Sequence, residues 1–302
     1  MSKKLVILLS RQRSGTNALR SVLESHPKIH CFNEIMSYSE ADLARNDSFI
    51  SFAKNQCGNR YDDPDNHLSI FKEFMHELHG MHDKEVTVID LKYNSMHHVS
   101  AQWADLHERP LFTWFQTAHI PVIRLRRNNY LRVLLSLQIA NLRQQWLDIA
   151  VDGKPETLNV VVPNENGDMK YLLHRLRGLQ LEDDIVDSTF GSYDYFCQVA
   201  YSEMFPKLGC AMHQDVLQRV SDFLEIDCDF NPTPWSSKSV PRPLWEVITN
   251  WQQVKGVLQG TEFEHFLGDE LMFQSGHSQD SITEPTVAFS TAADLLAKVS
   301  SQ

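Results

Sequence analysis

The chain has 302 residues, 42% of them hydrophobic, so it can bury a substantial core as one large α/β domain or as two small ones, and we favour one. Its formal net charge of −11 opposes approach to a polyanion, which argues against binding to nucleic acid or to an anionic membrane surface. The five cysteines are odd in number, widely spaced and without a CxxC pair, which argues against a disulfide framework or a thiolate zinc site. We expect them to be reduced.

The first predicted element is a short strand at Leu5–Leu9. This apolar run of five residues is too short for a signal-peptide core or a membrane span, which favours a cytoplasmic protein. A polar loop follows the run, and apolar residues at helical spacing follow the loop, among them Ala18 and Leu23. The opening therefore predicts strand, loop and helix, and His26-Pro27 ends that helix.

The same alternation continues along the chain. Further strands are predicted at residues 28–32, 85–91 and 120–125, with a weaker one at 199–201. Helices follow the last two, carrying Leu131, Leu135, Ile139, Leu142 and Trp146 in one case and Val216, Leu217, Val220, Phe223 and Leu224 in the other. This pattern predicts a three-layer α/β domain with a mainly parallel central sheet flanked by helices.

Two polar segments rich in helix formers, residues 36–84 and 141–192, fit the sheet poorly and follow strand ends. We expect them to be helical insertions that form a ligand pocket, because ligands of open α/β sheets bind outside the carboxyl ends of the strands. The single domain is predicted to span residues 1–273, and residues 274–302 to form a polar C-terminal tail.

Two basic islands contrast with the acidic average. Residues 1–33 hold six basic residues and one acid, and residues 119–147 hold five arginines and no acid. Together they indicate a small ligand with two anionic ends, although either island alone could be a solvated basic face.

The loop Ser10-Arg-Gln-Arg-Ser-Gly-Thr-Asn17 is predicted to bind phosphate. Gly15 allows close approach of the backbone, and the start of the helix adds N–H groups and the Thr16 hydroxyl. The alternative is a plain strand-to-helix turn. The Walker A pattern is absent, since Gly153-Lys154 is followed by Pro155, which disfavours an ordinary ATPase or GTPase.

Within this loop, Arg13-Ser-Gly-Thr-Asn17 resembles the 5'-phosphosulfate loop of the sulfotransferase family. The resemblance implies that Arg13 contacts the bridging oxygen and the transferred sulfuryl group of 3'-phosphoadenosine-5'-phosphosulfate (PAPS). It assigns the 5'-phosphate to the rest of the motif, Ser14, Gly15, Thr16 and Asn17. Arg11, in the same loop, is counted among the cofactor-binding residues.

The segment from Val122 to Ser136 resembles the same family's 3'-phosphate segment, a strand ending in arginine followed by a helix that supplies a serine. An arginine fork and a hydroxyl suit a phosphate dianion, so the resemblance implies Arg127 and Ser136 as its ligands. Their separation is one residue longer than usual, so Arg126 is the alternative to Arg127, and Ser136 could be an ordinary helix residue.

Later segments beginning at Tyr201, Val247 and Leu258 are similar to the C-terminal half of bacterial carbohydrate sulfotransferases, including those acting on trehalose and lipo-oligosaccharides. The resemblance covers residues 4 to about 268. It implies the family's P-loop-like fold, PAPS as co-substrate, 3'-phosphoadenosine-5'-phosphate (PAP) as product, and no metal.

A general base must stand near the phosphosulfate. The resemblance to the carbohydrate branch implies Glu34, at the end of the second strand, although Glu34 could instead cap a helix or pair at the surface. His30 and His119 are the alternatives for the base. Two lysines are weaker candidates for the site. Lys92 would face the acceptor or the sulfate, and Lys238 would close over the nucleotide, but each could instead be a solvated lysine.

The histidines at positions 76, 79 and 82 are spaced by three, whereas the zincin helix needs a spacing of four, so we expect solvated or capping histidines rather than a metal site.

The function predicted from the sequence is transfer of a sulfuryl group from PAPS to a hydroxyl acceptor, a small molecule, carbohydrate or glycolipid. The alternatives are an ATP-dependent small-molecule kinase and a non-catalytic nucleotide-binding protein of the same fold.

Overall fold

The computed structural model describes residues 3–37, 43–99, 110–143, 156–158, 171–205, 211–234 and 243–268. In these residues five strands form one parallel sheet in the order β2-β3-β1-β4-β5. The strands are β1 Lys4–Ser10, β2 Ile29–Phe32, β3 Val86–Lys92, β4 Val122–Arg126 and β5 Phe196–Ala200. The predicted α/β class with a parallel sheet is confirmed.

Helices connect these strands. They are α1 Thr16–Glu24, α2 Phe49–Phe52, α3 His67–Gly80, α4 Pro110–Thr117, α5 Tyr130–Arg143, α6 Tyr171–Phe190, α7 Tyr201–Met204, α8 Gln214–Leu224, α9 Leu244–Val247 and α10 Trp251–Leu258. A π-helical turn, Ala53–Cys57, and 3-10 turns at Gly58–Asp62, Pro64–Asn66, Tyr93–His98 and Glu264–Leu267 complete the description. No helix of the described ranges is both long and apolar enough to cross a membrane.

The central strand β1 is buried on both faces, which explains its uninterrupted apolar sequence. Val6 and Leu8 face a core formed with α1 and α8. Ile7 and Leu9 face a second core formed with helices α2 to α4 and α6. The sheet therefore lies between two helical layers, as the alternation of elements predicts.

Part of the predicted 36–84 insertion is structural. The side chains of Phe49, Ile50, Phe71, Phe74 and Leu78 are fully buried in the core that contains Ile7 and Leu9. That segment therefore covers one face of the sheet with α2 and α3, and its contribution to a ligand pocket stays a prediction. The described residues belong to one compact unit, Met1–Met272, and the predicted tail at 274–302 lies outside the described residues, as does Lys238.

The strand order places a topological switch point beside β1. The chain runs from β1 to β2 and β3 on one side and then to β4 and β5 on the other. Open α/β sheets bind ligands at such a point, in the crevice outside the carboxyl ends of the strands, here those of β1 and β4.

Candidate active site

The loop after β1 has the backbone conformation of an anion-binding turn. Arg13 and Gly15 both have positive φ angles, 66° and 93°, and Gly15 is the N-cap of α1. Among the described residues no side chain caps that helix start, and its first turn has no acidic residue. The Ala18 N–H donates to the Gly15 carbonyl oxygen at 3.1 Å, whereas the N–H groups of Thr16 and Asn17 precede the first such bond and suit a bound phosphate. A left-handed arginine is strained, and such strain is common at functional sites.

The loop is joined directly to the segment that follows β4. The Arg13 Nε atom donates a hydrogen bond to Ser136 Oγ at 2.9 Å, and Arg127 Nη1 donates to the Arg13 carbonyl oxygen at 3.1 Å. Ser136 lies on α5 and is 8% exposed. Three residues that the family resemblance assigns to opposite ends of one nucleotide therefore lie together at the carboxyl edge of the sheet.

Tyr201, the first residue after β5, forms one wall of this arrangement, and the sequence reasoning did not identify it as a site residue. The Arg127 guanidinium lies 4.9 Å from the centre of the Tyr201 ring. A Cβ atom at position 15 would lie 2.5 Å from two ring carbons of Tyr201, so only glycine fits beneath the ring. Its position at the carboxyl end of a predicted parallel strand was the signal that could have identified it.

Arg126 and Arg11 point away from the loop. Strand alternation turns Arg126 toward α6, where its Nη1 donates to Asp187 at 3.2 Å and its Nε lies 3.4 Å from Asp183. Arg11 Nε donates to Glu182 on the same helix at 3.1 Å. Their predicted contacts with the cofactor stay predictions, and the observed partners favour a structural role for both.

These contacts belong to a buried cluster between β4 and α6. Arg124, which is fully buried, donates to Asp183 Oδ1 at 2.9 Å and to the Tyr93 hydroxyl at 3.0 Å. Burial raises the pKa of Tyr93 to about 12, so its hydroxyl stays protonated at neutral pH. Burial and the neighbouring Asp183 also raise the pKa of Tyr130, which donates to Asp183 at 2.6 Å. Acids of α6 therefore compensate two of the five arginines of the second basic island, Arg124 and Arg126.

Lys92 is buried beneath the loop and is not the solvated lysine considered as its alternative. Its side chain is 1% exposed, and its ammonium group donates to Thr16 Oγ1 at 2.7 Å and to Asp90 Oδ1 at 2.6 Å. Glu34 Oε1 lies 3.7 Å from the same ammonium, and the Glu34 side chain is 31% exposed. The candidate base therefore stands at the edge of the phosphate loop, within ion-pair distance of a buried cation.

The two histidines proposed as alternative bases lie at the opposite edge of the sheet. His30 and Leu5 both pair in register with Thr87, so His30 lies about 16 Å before the carboxyl end of β1 along the strand direction, at the usual rise per residue. His119 precedes the first residue of β4. Of the candidates for the base, Glu34 is the one at the carboxyl edge.

Of the three histidines at 76, 79 and 82, His76 is exposed, and His79 and His82 are half-buried and contact the sheet. His79 Nδ1 and His82 Nε2 lie 2.8 Å and 3.0 Å from Thr87 Oγ1. Within the described ranges, no group of three or more histidine, cysteine or acidic side chains is arranged to hold a metal ion.

Comparisons with known proteins give a likeness in structure alone. No family model matches the chain, and no curated protein matches it. Among solved structures, a sulfotransferase from Alicyclobacillus acidocaldarius is similar at 15% sequence identity, over 85% of this chain and 96% of that chain, with a TM-score of 0.42. At this score we base no conclusion on the likeness.

Proposed function

We propose that the protein is a sulfotransferase that moves a sulfuryl group from PAPS to a hydroxyl acceptor, with a carbohydrate or glycolipid as the preferred class. The hydrogen bond between Arg13 Nε and Ser136 Oγ, at 2.9 Å, is the observation that carries this proposal. It joins two segments far apart in sequence that resemble the two phosphate-binding segments of one family. Two unrelated motif matches would have no reason to meet at one crevice.

In the proposed complex, the donor lies across the switch point. The backbone of the loop and the start of α1, with the Thr16 hydroxyl, hold the 5'-phosphate. Arg127 and Ser136 hold the 3'-phosphate through charge-assisted hydrogen bonds. Arg127 is preferred to Arg126 because it lies on the loop side of β4, against Arg13 and Tyr201.

The proposed reaction is an in-line displacement at sulfur. The acceptor oxygen forms a bond to sulfur while the bond from sulfur to the bridging oxygen of PAPS breaks, and PAP leaves with the electron pair. Glu34 takes the acceptor proton. Arg13 and Lys92 stabilise the negative charge that develops on the leaving phosphate and on the transferring group.

One observation keeps the kinase alternative open to test. The loop itself contains no Walker lysine, but Lys92 reaches Thr16 of that loop from β3. An ammonium group beneath a phosphate loop would also suit ATP. Nucleotide preference therefore separates the two functions.

Calorimetry with PAP, AMP and ATP tests the proposal. PAP is expected to bind at least about tenfold more tightly than AMP, because only PAP has the 3'-phosphate. Arg127→Gln should remove most of this preference, and Arg126→Gln is the matched control that should keep it. Equal affinities for PAP and AMP would contradict the proposal, and tight binding of ATP would favour a kinase.

Incubation with labelled PAPS and a metabolite extract, followed by mass spectrometry, then identifies the acceptor by the gain of one sulfuryl group. Binding of PAP without transfer to any acceptor would favour the non-catalytic alternative.

A further inference from the structure

We propose that Asp90 is a positioning residue of this site, which holds the Lys92 ammonium against the phosphate loop. The inference rests on the proposed function. Asp90 lies on β3, two residues before Lys92, and its side chain is fully buried.

The Lys92 ammonium is oriented by three acceptors. It donates to Asp90 Oδ1 at 2.6 Å, to Thr16 Oγ1 at 2.7 Å and to Ser10 Oγ at 3.1 Å. An ammonium group has three donors, so these contacts use all of them. Asp90 supplies the charged acceptor of the three and therefore the strongest contact.

The second oxygen of Asp90 faces a second cation. Asp90 Oδ2 lies 3.6 Å from Arg20 Nη1, at ion-pair but not hydrogen-bond distance, and Arg20 also donates to Asn33 Oδ1. Asn33 immediately precedes Glu34. One buried carboxylate thus contacts the cation beneath the phosphate loop and the cation that holds the chain next to the candidate base.

The charges explain why loss of Asp90 would disturb both. Asp90 and Glu34 are the two carboxylates within ion-pair distance of Lys92 among the described residues, at 2.6 Å and 3.7 Å. Without the Asp90 charge, Glu34 is the nearest carboxylate left to act as counter-ion of the Lys92 ammonium. A buried ammonium without a counter-charge would strongly destabilise the protein. The ammonium then turns from Thr16 toward Glu34 and is no longer held against the phosphate loop.

The test is a double-mutant cycle read by calorimetry with PAP and AMP. Asp90→Asn keeps the size of the side chain and removes its charge, and we expect it to weaken both nucleotides by about tenfold, because both carry the 5'-phosphate. Lys92→Met removes the ammonium. In the Lys92→Met background, Asp90→Asn should have no further effect if Asp90 acts through Lys92. Glu225→Gln is the control, since it removes a surface acid that pairs with Lys4 at 2.8 Å far from the loop.

The outcomes separate the two proposals. If the unaltered protein does not prefer PAP to AMP, the proposed function fails and this inference fails with it. If the preference holds but Asp90→Asn weakens binding equally with and without Lys92, Asp90 does not act through Lys92 and only this inference is overturned. Thermal unfolding of each variant accompanies the titrations.

Should Asp90→Asn fail to fold, the unaltered protein tests the step on which the inference depends, that the Lys92 ammonium is held at the nucleotide site. In NMR spectra of protein that contains lysine labelled with nitrogen-15, the ammonium resonance of Lys92 is the one that disappears in Lys92→Met. We expect it to be protected from exchange and to shift on addition of PAP, and a resonance unaffected by PAP would overturn the inference.

Discussion

At the scale of single residues, the loop after β1 depends on the space at Gly15. This glycine has a φ of 93°, and an added Cβ atom would meet the Tyr201 ring at 2.5 Å. We predict that Gly15→Ala weakens PAP binding by about tenfold or more, because Tyr201 or the loop must move, and Arg127 packs on the same ring. Calorimetry measures the affinity.

The chain offers a control that separates the clash from backbone strain. Gly260 also has a positive φ, 76°, and nothing lies within 4 Å of the position that an added Cβ atom would take there. Gly260→Ala should therefore cost about 1 kcal/mol of stability from left-handed strain and leave PAP binding unchanged. Similar losses of affinity in both variants would show that the ring of Tyr201 does not matter.

The second prediction at this scale concerns Glu34. Glu34→Gln keeps the size of the side chain but cannot accept the proton, so the turnover number should fall by about a hundredfold or more while PAP affinity stays nearly constant. Steady-state kinetics with the identified acceptor and calorimetry measure the two quantities. Glu34→Ala controls for lost packing, and turnover within a few-fold of normal would exclude Glu34 as the base.

The sequence predicted these residues unevenly, for physical reasons. Gly15 and Thr16 could be singled out because their chemistry follows from a local strand-to-helix turn. The choice between Arg126 and Arg127 could not be made, because it depends on which face of β4 each side chain leaves. Lys92 could not be distinguished from a solvated lysine, because its acceptor Thr16 lies on a different element.

At the scale of elements, the 20-residue helix α6 compensates the arginines of β4. Asp183 accepts hydrogen bonds from Arg124 at 2.9 Å and from Tyr130 at 2.6 Å, and it is nearly fully buried. We predict that Asp183→Asn lowers the free energy of unfolding by about 3 kcal/mol, because it leaves the buried arginine without much of its counter-charge. Chemical denaturation measures the change.

Glu182 on the same helix provides the comparison. It pairs with Arg11 but its side chain is 39% exposed, so Glu182→Gln should cost less than about 1 kcal/mol. Equal losses of unfolding free energy in Asp183→Asn and Glu182→Gln would show that burial does not determine how much each acid contributes to stability.

The sequence predicted β1 and β3 well, because both are largely apolar and buried on both faces. It predicted β5 only in part, at 199–201 instead of Phe196–Ala200, because this strand contains exposed and half-buried residues and no apolar run. It did not predict that α6 would compensate Arg124 and Arg126 of the second basic island, since Arg124 and Asp183 are 59 residues apart and nothing local pairs them. The sequence also did not show that the phenylalanines between residues 49 and 80 fill the core, because the polar average of that segment conceals its apolar face.

At the scale of the whole molecule, the two edges of the sheet differ in their ionisable groups. The carboxyl edge holds the cations of the candidate site. The amino edge holds a cluster of histidines, with the rings of His30 and His82 4.6 Å apart and His79 and His82 both bonded to Thr87. The sheet therefore has a site at one edge and a proton-sensitive contact at the other.

The last prediction follows from that contact. Burial lowers the pKa of His82 from 6.5 to about 4, and the nearby His30, Lys3 and His79 add to the effect, while Glu24 opposes it. Above pH 6.5 the ring is neutral in the folded and unfolded states. Between pH 6.5 and 4 the unfolded chain takes up a proton that the folded protein rejects, so stability falls as the pH falls. We expect a loss of about 1 kcal/mol from this group, less than the full shift implies because the ring is partly exposed.

The measurement is the free energy of unfolding as a function of pH for the unaltered protein, for His82→Gln and for His174→Gln. His174 is an exposed histidine of α6. His82→Gln should reduce the slope between pH 6.5 and 4, because glutamine does not titrate and can still hydrogen-bond Thr87. His174→Gln should leave the slope unchanged, and the same slope in all three proteins would show that His82 is not the group responsible.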